Sequence, residues 1–86
     1  VDSPDIEACL LALAAERGPA KSFCPSDAAR QLAGSHPDHW GPLMQPIRRI
    51  AVRLATEGRL VILRKGKPAD PHDFKGVYRL SQPRSE

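Results

Sequence analysis

Arg48, Arg49 and Arg53 lie within one stretch whose apolar residues, Ile47, Ile50, Ala51 and Leu54, recur at i, i+3, i+4 and i+7. On a helix that period gathers the apolar side chains into one stripe and leaves the three arginines and Thr56 largely off it. An arginine-bearing outer face suits the major groove of DNA, where a guanidinium grips phosphate or reads guanine with two hydrogen bonds. Further along, Arg64, Lys65, Lys67 and Lys75 surround a loop with few carboxylates. Such a loop can lie along a phosphate backbone, which gives salt-dependent affinity and little sequence information. Asp70 and Asp73 dilute that loop's charge. The same arginines would also serve as an ordinary solvated face, paired with Glu57 and with acidic residues elsewhere.

The charge distribution sharpens the first reading. Residues 1–44 carry three Lys or Arg against six Asp or Glu, whereas residues 45–79 carry nine against three. The net charge is +3 and the pI about 9.2. An acidic half joined to a basic half suggests one face that favours a polyanion.

Other reactive residues carry less. Cys24 precedes Pro25 at a helix start, where Ser, Thr or Asp would be expected as a cap. A thiol at a helix N-terminus can be activated, so a redox switch at Cys24 is one reading and a buried, weakly capping thiol is the other. His36 and His39, with Cys24 and Asp38, lack the paired spacing of a structural zinc site, so no metal is expected. Trp40 suits a plug between helices better than a stacking platform. There is no Gly-rich phosphate loop, no supported Ser-His-Asp set, and the carboxylates of Asp70 and Asp73 sit on a loop too mobile for acid–base geometry. Neither catalysis nor a cofactor is expected. Cys9 and Cys24 have no CxxC partner and read as reduced thiols in a cytoplasmic protein.

The elements that must position these residues follow from capping and period. Ser3-Pro4-Asp5 opens a first helix over 4–17, with Ser3 as its cap, Ile6, Cys9, Leu10 and Leu13 as its stripe, and Gly18-Pro19 as its stop. Residues 20–23 make a stub of strand. Pro25 starts a second helix ending near residue 33, with Asp27 reaching back to the free amides. Residues 36–41 form a polar connector anchored by Trp40. A third helix spans 43–57 and holds Pro46 in its first turn, since a central proline would cost about 3 kcal/mol or more. Residues 60–63 and 77–80 are strands flanking a basic loop of roughly a dozen residues, a long hairpin. Residues 81–86 read as a frayed tail. Val1 is not an initiator residue, so the natural chain is expected to begin earlier, and no leader precedes the first helix signal.

The whole is one α+β domain over residues 1–86, its core at about 4–80. Its 86 residues are 41% hydrophobic but 5% aromatic, so the core must be mostly aliphatic. The longest apolar runs are a few residues, against roughly 20 for a spanning helix, which argues against a membrane partner. Helix, strand stub, helix, connector, helix, strand, basic loop, strand is the order of a winged helix: a helix-turn-helix followed by a β-hairpin wing.

Over about residues 6–80 the chain also resembles a bacterial family of small winged-helix-like proteins of unknown function. The resemblance rests on Cys24-Pro25-Ser26-Asp27-x-Ala29-Arg30, Trp40 with Pro42-Leu43-Met44, Arg53-Leu54-Ala55-x-Glu57-Gly58, Lys65-Gly66-Lys67-Pro68-x-Asp70, and Lys75-Gly76 with Arg79. It implies a fold and no activity. The residues themselves point to double-stranded DNA, with Arg48, Arg49, Arg53 and Thr56 in the groove and Arg64, Lys65, Lys67 and Lys75 on the backbone. The alternative is a protein-interaction module on the same scaffold, with a partner docking on Leu43, Met44 or Val52. Helix-turn-helix regulators usually act as pairs, which makes the first helix, with Leu11, the candidate face for a homodimer.

Overall fold

The computed structural model describes residues 2–83. The first helix, α1 (Ser3–Arg17), begins one residue earlier than its sequence signals suggest, and its cap is Asp2 rather than Ser3. The Asp2 N–H donates to the Asp5 carboxylate at 3.4 Å. Pro4 then sits in the first turn, where a missing N–H costs no helical hydrogen bond. Ile6, Leu10 and Leu13 are buried, and the helix stops at Gly18, whose φ of 77° needs a residue without a Cβ.

The strand stub is real: β1 (Ser22–Phe23) leads directly into α2 (Pro25–Ala33). The carboxylate of Asp27 accepts a hydrogen bond from the Cys24 N–H at 3.1 Å, which closes the helix start. Ala28 and Ala29 are fully buried, and their small side chains let neighbouring helices approach closely.

The polar connector contains a helical turn, α3 (Pro37–Trp40), followed by a 3₁₀ turn at Gly41–Leu43. The imidazole Nδ1 of His36 accepts the Asp38 N–H at 3.2 Å and caps this turn. The long basic helix, α4 (Met44–Thr56), follows without a break and holds Pro46 in its first turn. Ile47, Ala51 and Leu54 are fully buried.

The strands differ most from the simple long hairpin. They are β2 (Val61–Arg64), β3 (Lys67–Pro68) and β4 (Arg79–Ser81), joined with β1 into one antiparallel sheet in the order β1-β4-β2-β3. β2 turns straight back into β3 through Lys65 (φ 53°) and Gly66 (φ 80°). Two left-handed residues make the tight turn whose twist matches a hairpin. Residues 66–71 are thus not all loop. The last strand starts at Arg79 instead of residue 77, because Gly76 adopts φ 83° and the Arg64 guanidinium donates to the Val77 carbonyl, which holds this stretch off the ladder. Ser81 is not tail: it is buried and pairs with both Ser22 and Val61. Residues 84–86 of the expected tail lie outside the described residues.

Pairing and pleat give the sheet two faces. Phe23, Leu80 and Ile62 stand side by side on the inner face, are 0–1% exposed, and meet Ile6, Leu10, Leu13, Ile47, Leu54 and Leu60 in one core. Ser22, Ser81 and Val61 occupy the next row on the outer face, followed by Arg79, Leu63 and Pro68. Among these, Val61 and Leu63 are half-buried, and Pro68 and Arg79 are exposed. Among the described residues no helix is long and apolar enough to cross a membrane.

Candidate nucleic-acid interface

The three arginines of α4 meet three different fates. At roughly 100° per residue, Gln45, Arg49, Val52 and Thr56 come round to the side away from Ile47, Ala51 and Leu54. Arg48 and Arg53 fall on opposite flanks of that stripe. The flanks differ in what they touch.

Arg48 turns toward the segment before β4. Its guanidinium donates to the Phe74 carbonyl at 2.9 Å and lies 4.0 Å from the Phe74 ring centroid and 5.7 Å from that of Tyr78. Phe74 and Tyr78 are both 8% exposed and meet edge to face at 5.2 Å. Arg48 therefore seals an aromatic pocket, with its charge spread over ring faces and one carbonyl. It was expected in the groove; its guanidinium is already committed.

Arg53 turns toward α1 and pairs with Glu7 at 3.0 Å, while Arg59 pairs with the other oxygen of the same carboxylate at 2.8 Å. The hydrogen bond from Arg53 leads in holding the Glu7 carboxyl below its usual range, and Arg59 adds to it, while partial burial opposes. This is the acidic half of the sequence meeting the basic half, within the protein. Arg53 too has an internal partner.

Arg49 is exposed and is the arginine of α4 with neither an ion pair nor a side-chain hydrogen bond among the described residues. It borders a shallow hollow of about 380 Å³ with Gln45, Pro46, Arg48 and Val52. Thr56, one helical turn and more along the same face, donates its hydroxyl to the Val52 carbonyl at 2.8 Å and lies 3.2 Å from Nε2 of His72. The structure thereby brings His72 of the wing loop to the C-terminal end of the exposed stripe, a neighbour the sequence order alone does not disclose.

In the wing, Lys65, Lys67 and Lys75 are exposed, and Arg64 reaches across to the Val77 carbonyl. Asp70 spends its carboxylate on the His72 N–H at 2.9 Å, an Asx turn that shapes the loop. No lysine of the wing has an ion-pair partner among the described residues. Sequence reasoning missed Arg79 as a candidate: its side chain lies across β1, donating from Nε to the Ser22 hydroxyl at 2.7 Å and from Nη2 to the Ser22 carbonyl at 3.1 Å. Its position between Tyr78 and Leu80 in an alternating strand was the available signal.

Cys24 is half-buried, with its Sγ 3.0 Å from the Ser26 hydroxyl. Cys9 is also free; it points at the Ala28 carbonyl from 3.8 Å, and burial raises its thiol above the ordinary range. The rings of His36 and His39 lie 5.1 Å apart, tilted by 37°, but among the described residues no three His, Cys, Asp or Glu side chains gather as a metal site requires. Trp40 packs partly buried against the core, donates its indole N–H to the Ser35 carbonyl at 3.2 Å, and is covered by the Arg30 guanidinium at 5.3 Å.

Three longer helices with a four-stranded antiparallel sheet define an α+β domain compatible with a winged-helix-like fold. The chain belongs to the family described as "Protein of unknown function (DUF3253)", whose model matches residues 3–83. No curated protein matches it.

Proposed function

We propose that this domain is a winged-helix module of a bacterial cytoplasmic protein that binds double-stranded DNA, placing the exposed stripe of α4 in the groove and the wing lysines on the phosphate backbone. The observation that carries the reading is the set of uncommitted cations on α4 and the wing. Arg49, Lys65, Lys67 and Lys75 are exposed and have no carboxylate partner among the described residues, whereas Arg53 and Arg59 are paired with Glu7. With Arg48 and Arg53 committed, direct reading of base edges narrows to Arg49, supported by Gln45 and Thr56. Most of the affinity then comes from phosphates, which makes binding strongly salt-dependent and only weakly sequence-selective.

Fluorescence anisotropy with a labelled random duplex at roughly 50 and 200 mM salt tests this directly. Affinity should fall steeply with salt. Arg49→Ala should weaken binding by at least about tenfold, and each wing lysine changed to Ala should flatten the salt slope by about one unit. Arg53→Ala should leave binding nearly unchanged. Unaltered affinity of Arg49→Ala at low salt rejects the groove contact, and no saturable binding at low salt rejects the reading as a whole. The second reading, a protein-interaction module without nucleic acid, draws support from the hollow beside Val52 and from half-buried Leu43 and Met44. It becomes the better one on the latter outcome.

A further inference from the structure

The outer face of the sheet offers a surface that the duplex reading does not use. Val61 and Leu63 lie on it half-exposed, flanked by Pro68 on one edge strand and Ser22 on the other. Two adjoining hollows of about 510 and 290 Å³ run along this face and share Ser22, Leu63 and Gly66. At one end stands Val77, 80% exposed, the large apolar side chain most open to water among the described residues. Arg79 and Ser81 alternate onto this face, opposite to buried Leu80.

The charges around the hollows are all of one sign. Lys21, Arg64, Lys65 and Arg79 line them, and no Asp or Glu does. Arg79 is the key group. Ser22 holds its Nε and Nη2, which fixes the plane of the guanidinium across the β1–β4 seam and leaves Nη1 without a partner among the described residues. A cation fixed in orientation, beside an apolar floor and with no acid to meet it, is set up for a carboxylate carried by something else.

We propose that this face binds an extended acidic segment of a partner protein. One carboxylate meets Arg79, and the apolar side chains next to it cover Leu63, Val61 and Val77. An extended chain sends every second side chain to the same side at intervals of about 6.8 Å, so an acidic residue and an apolar one two positions on face the sheet together, one on the cationic rim and the other on the apolar floor. Nucleic acid fits the face less well. The aromatic rings on which single strands stack are absent from it, since Phe23 and Tyr78 point into the core, and a duplex backbone gains nothing from Leu63 and Val77.

The test is ¹⁵N chemical-shift mapping of the whole chain with a short synthetic peptide repeating Glu-Ser-Leu-Ser, which carries Glu and Leu on the same side when extended, and with its Lys-Ser-Leu-Ser counterpart. The Glu peptide should bind saturably and shift Ser22, Leu63, Val77 and Arg79, while the Lys peptide leaves them in place. Val77→Ser and Arg79→Gln should each weaken the Glu peptide at least fivefold or so. Both positions are exposed, so either variant keeps the fold, and a glutamine can still donate to Ser22. Binding that is absent, that maps to α4, or that ignores both substitutions overturns the proposal. Duplex binding stays separable: Val77→Ser leaves duplex affinity unchanged, Arg49→Ala leaves peptide affinity unchanged, and either reading can fail alone.

Discussion

The two flanks of α4 contain the same kind of residue in opposite circumstances. On one, Arg53 meets the Glu7 carboxylate across the α1–α4 contact, in an exposed ion pair that Arg59 joins from the other side. On the other, Arg48 meets no carboxylate and lies instead on two buried aromatic rings and a carbonyl. Exposed ion pairs add little to stability, because water screens the attraction and long side chains lose entropy to form it. A guanidinium seated over buried rings excludes water and anchors the segment leading into β4. Availability to a partner therefore depends on what each flank already offers an arginine, and counting cations along the helix does not reveal it.

The largest expected effect tests that contrast directly. Arg48→Ala removes a charge-assisted hydrogen bond and the cover over Phe74 and Tyr78, and should lower the unfolding free energy by about 2–3 kcal/mol in urea. Arg48→Lys should recover only part of this, since an ammonium cannot lie flat on a ring. Arg49→Ala, at the exposed centre of the same helix, should stay within about 0.5 kcal/mol of the parent. Equal losses at both positions would mean that the aromatic contact contributes no more than ordinary surface polarity.

How far this arrangement is legible from the sequence varies by element. The long helices are legible because caps, stops and a 3.6-residue period agree over elements of 9 to 15 residues, as with Pro25 and Asp27 in α2 or Ile47 to Leu54 in α4. The one-turn helix Pro37–Trp40 is not, although His36 before Pro37 repeats the cap-then-proline signal of its neighbours; four residues are too few to show a period. The turn at Lys65-Gly66 hides for a related reason. Gly66 announces a turn, but a lysine at φ 53° is unusual, and only the pairing of Lys67 with Arg64 explains it. The candidate site suffered most, because the partners of Arg48 and Arg53 lie 26 and 46 positions away. Such pairings are set by tertiary packing, and no local pattern encodes them.

Tyr78 sharpens the comparison at a smaller scale. Its ring serves Arg48, but its hydroxyl is buried without a hydrogen-bond partner among the described residues. Burial accordingly pushes its ionisation above the ordinary tyrosine range, with the positive charge of Arg48 opposing the shift. A buried hydroxyl that lost its water and gained nothing is a net cost. Tyr78→Phe should thus be neutral or stabilising, by up to about 1 kcal/mol, with the edge-to-face contact to Phe74 retained. A clear loss of stability would show that the hydroxyl has a bound partner in solution.

The smallest effect belongs to the opposite flank, and pH isolates it. Arg53 and Arg59 hold the Glu7 carboxyl below its usual value of 4.5 in the folded protein. A carboxyl that binds its proton less readily when folded favours folding while it is ionised. That contribution is fully present above about pH 4.5 and disappears as pH falls through the lowered folded value. Glu7→Gln removes it at every pH, so urea midpoints of parent and variant should differ slightly near neutrality and converge in acid. Added salt should close the same gap at neutral pH, because both partners reach water and the ion atmosphere screens them. A gap that persists unchanged through acid and through high salt would mean that Glu7 acts by packing against α4, and the two flanks would then differ in degree and not in kind.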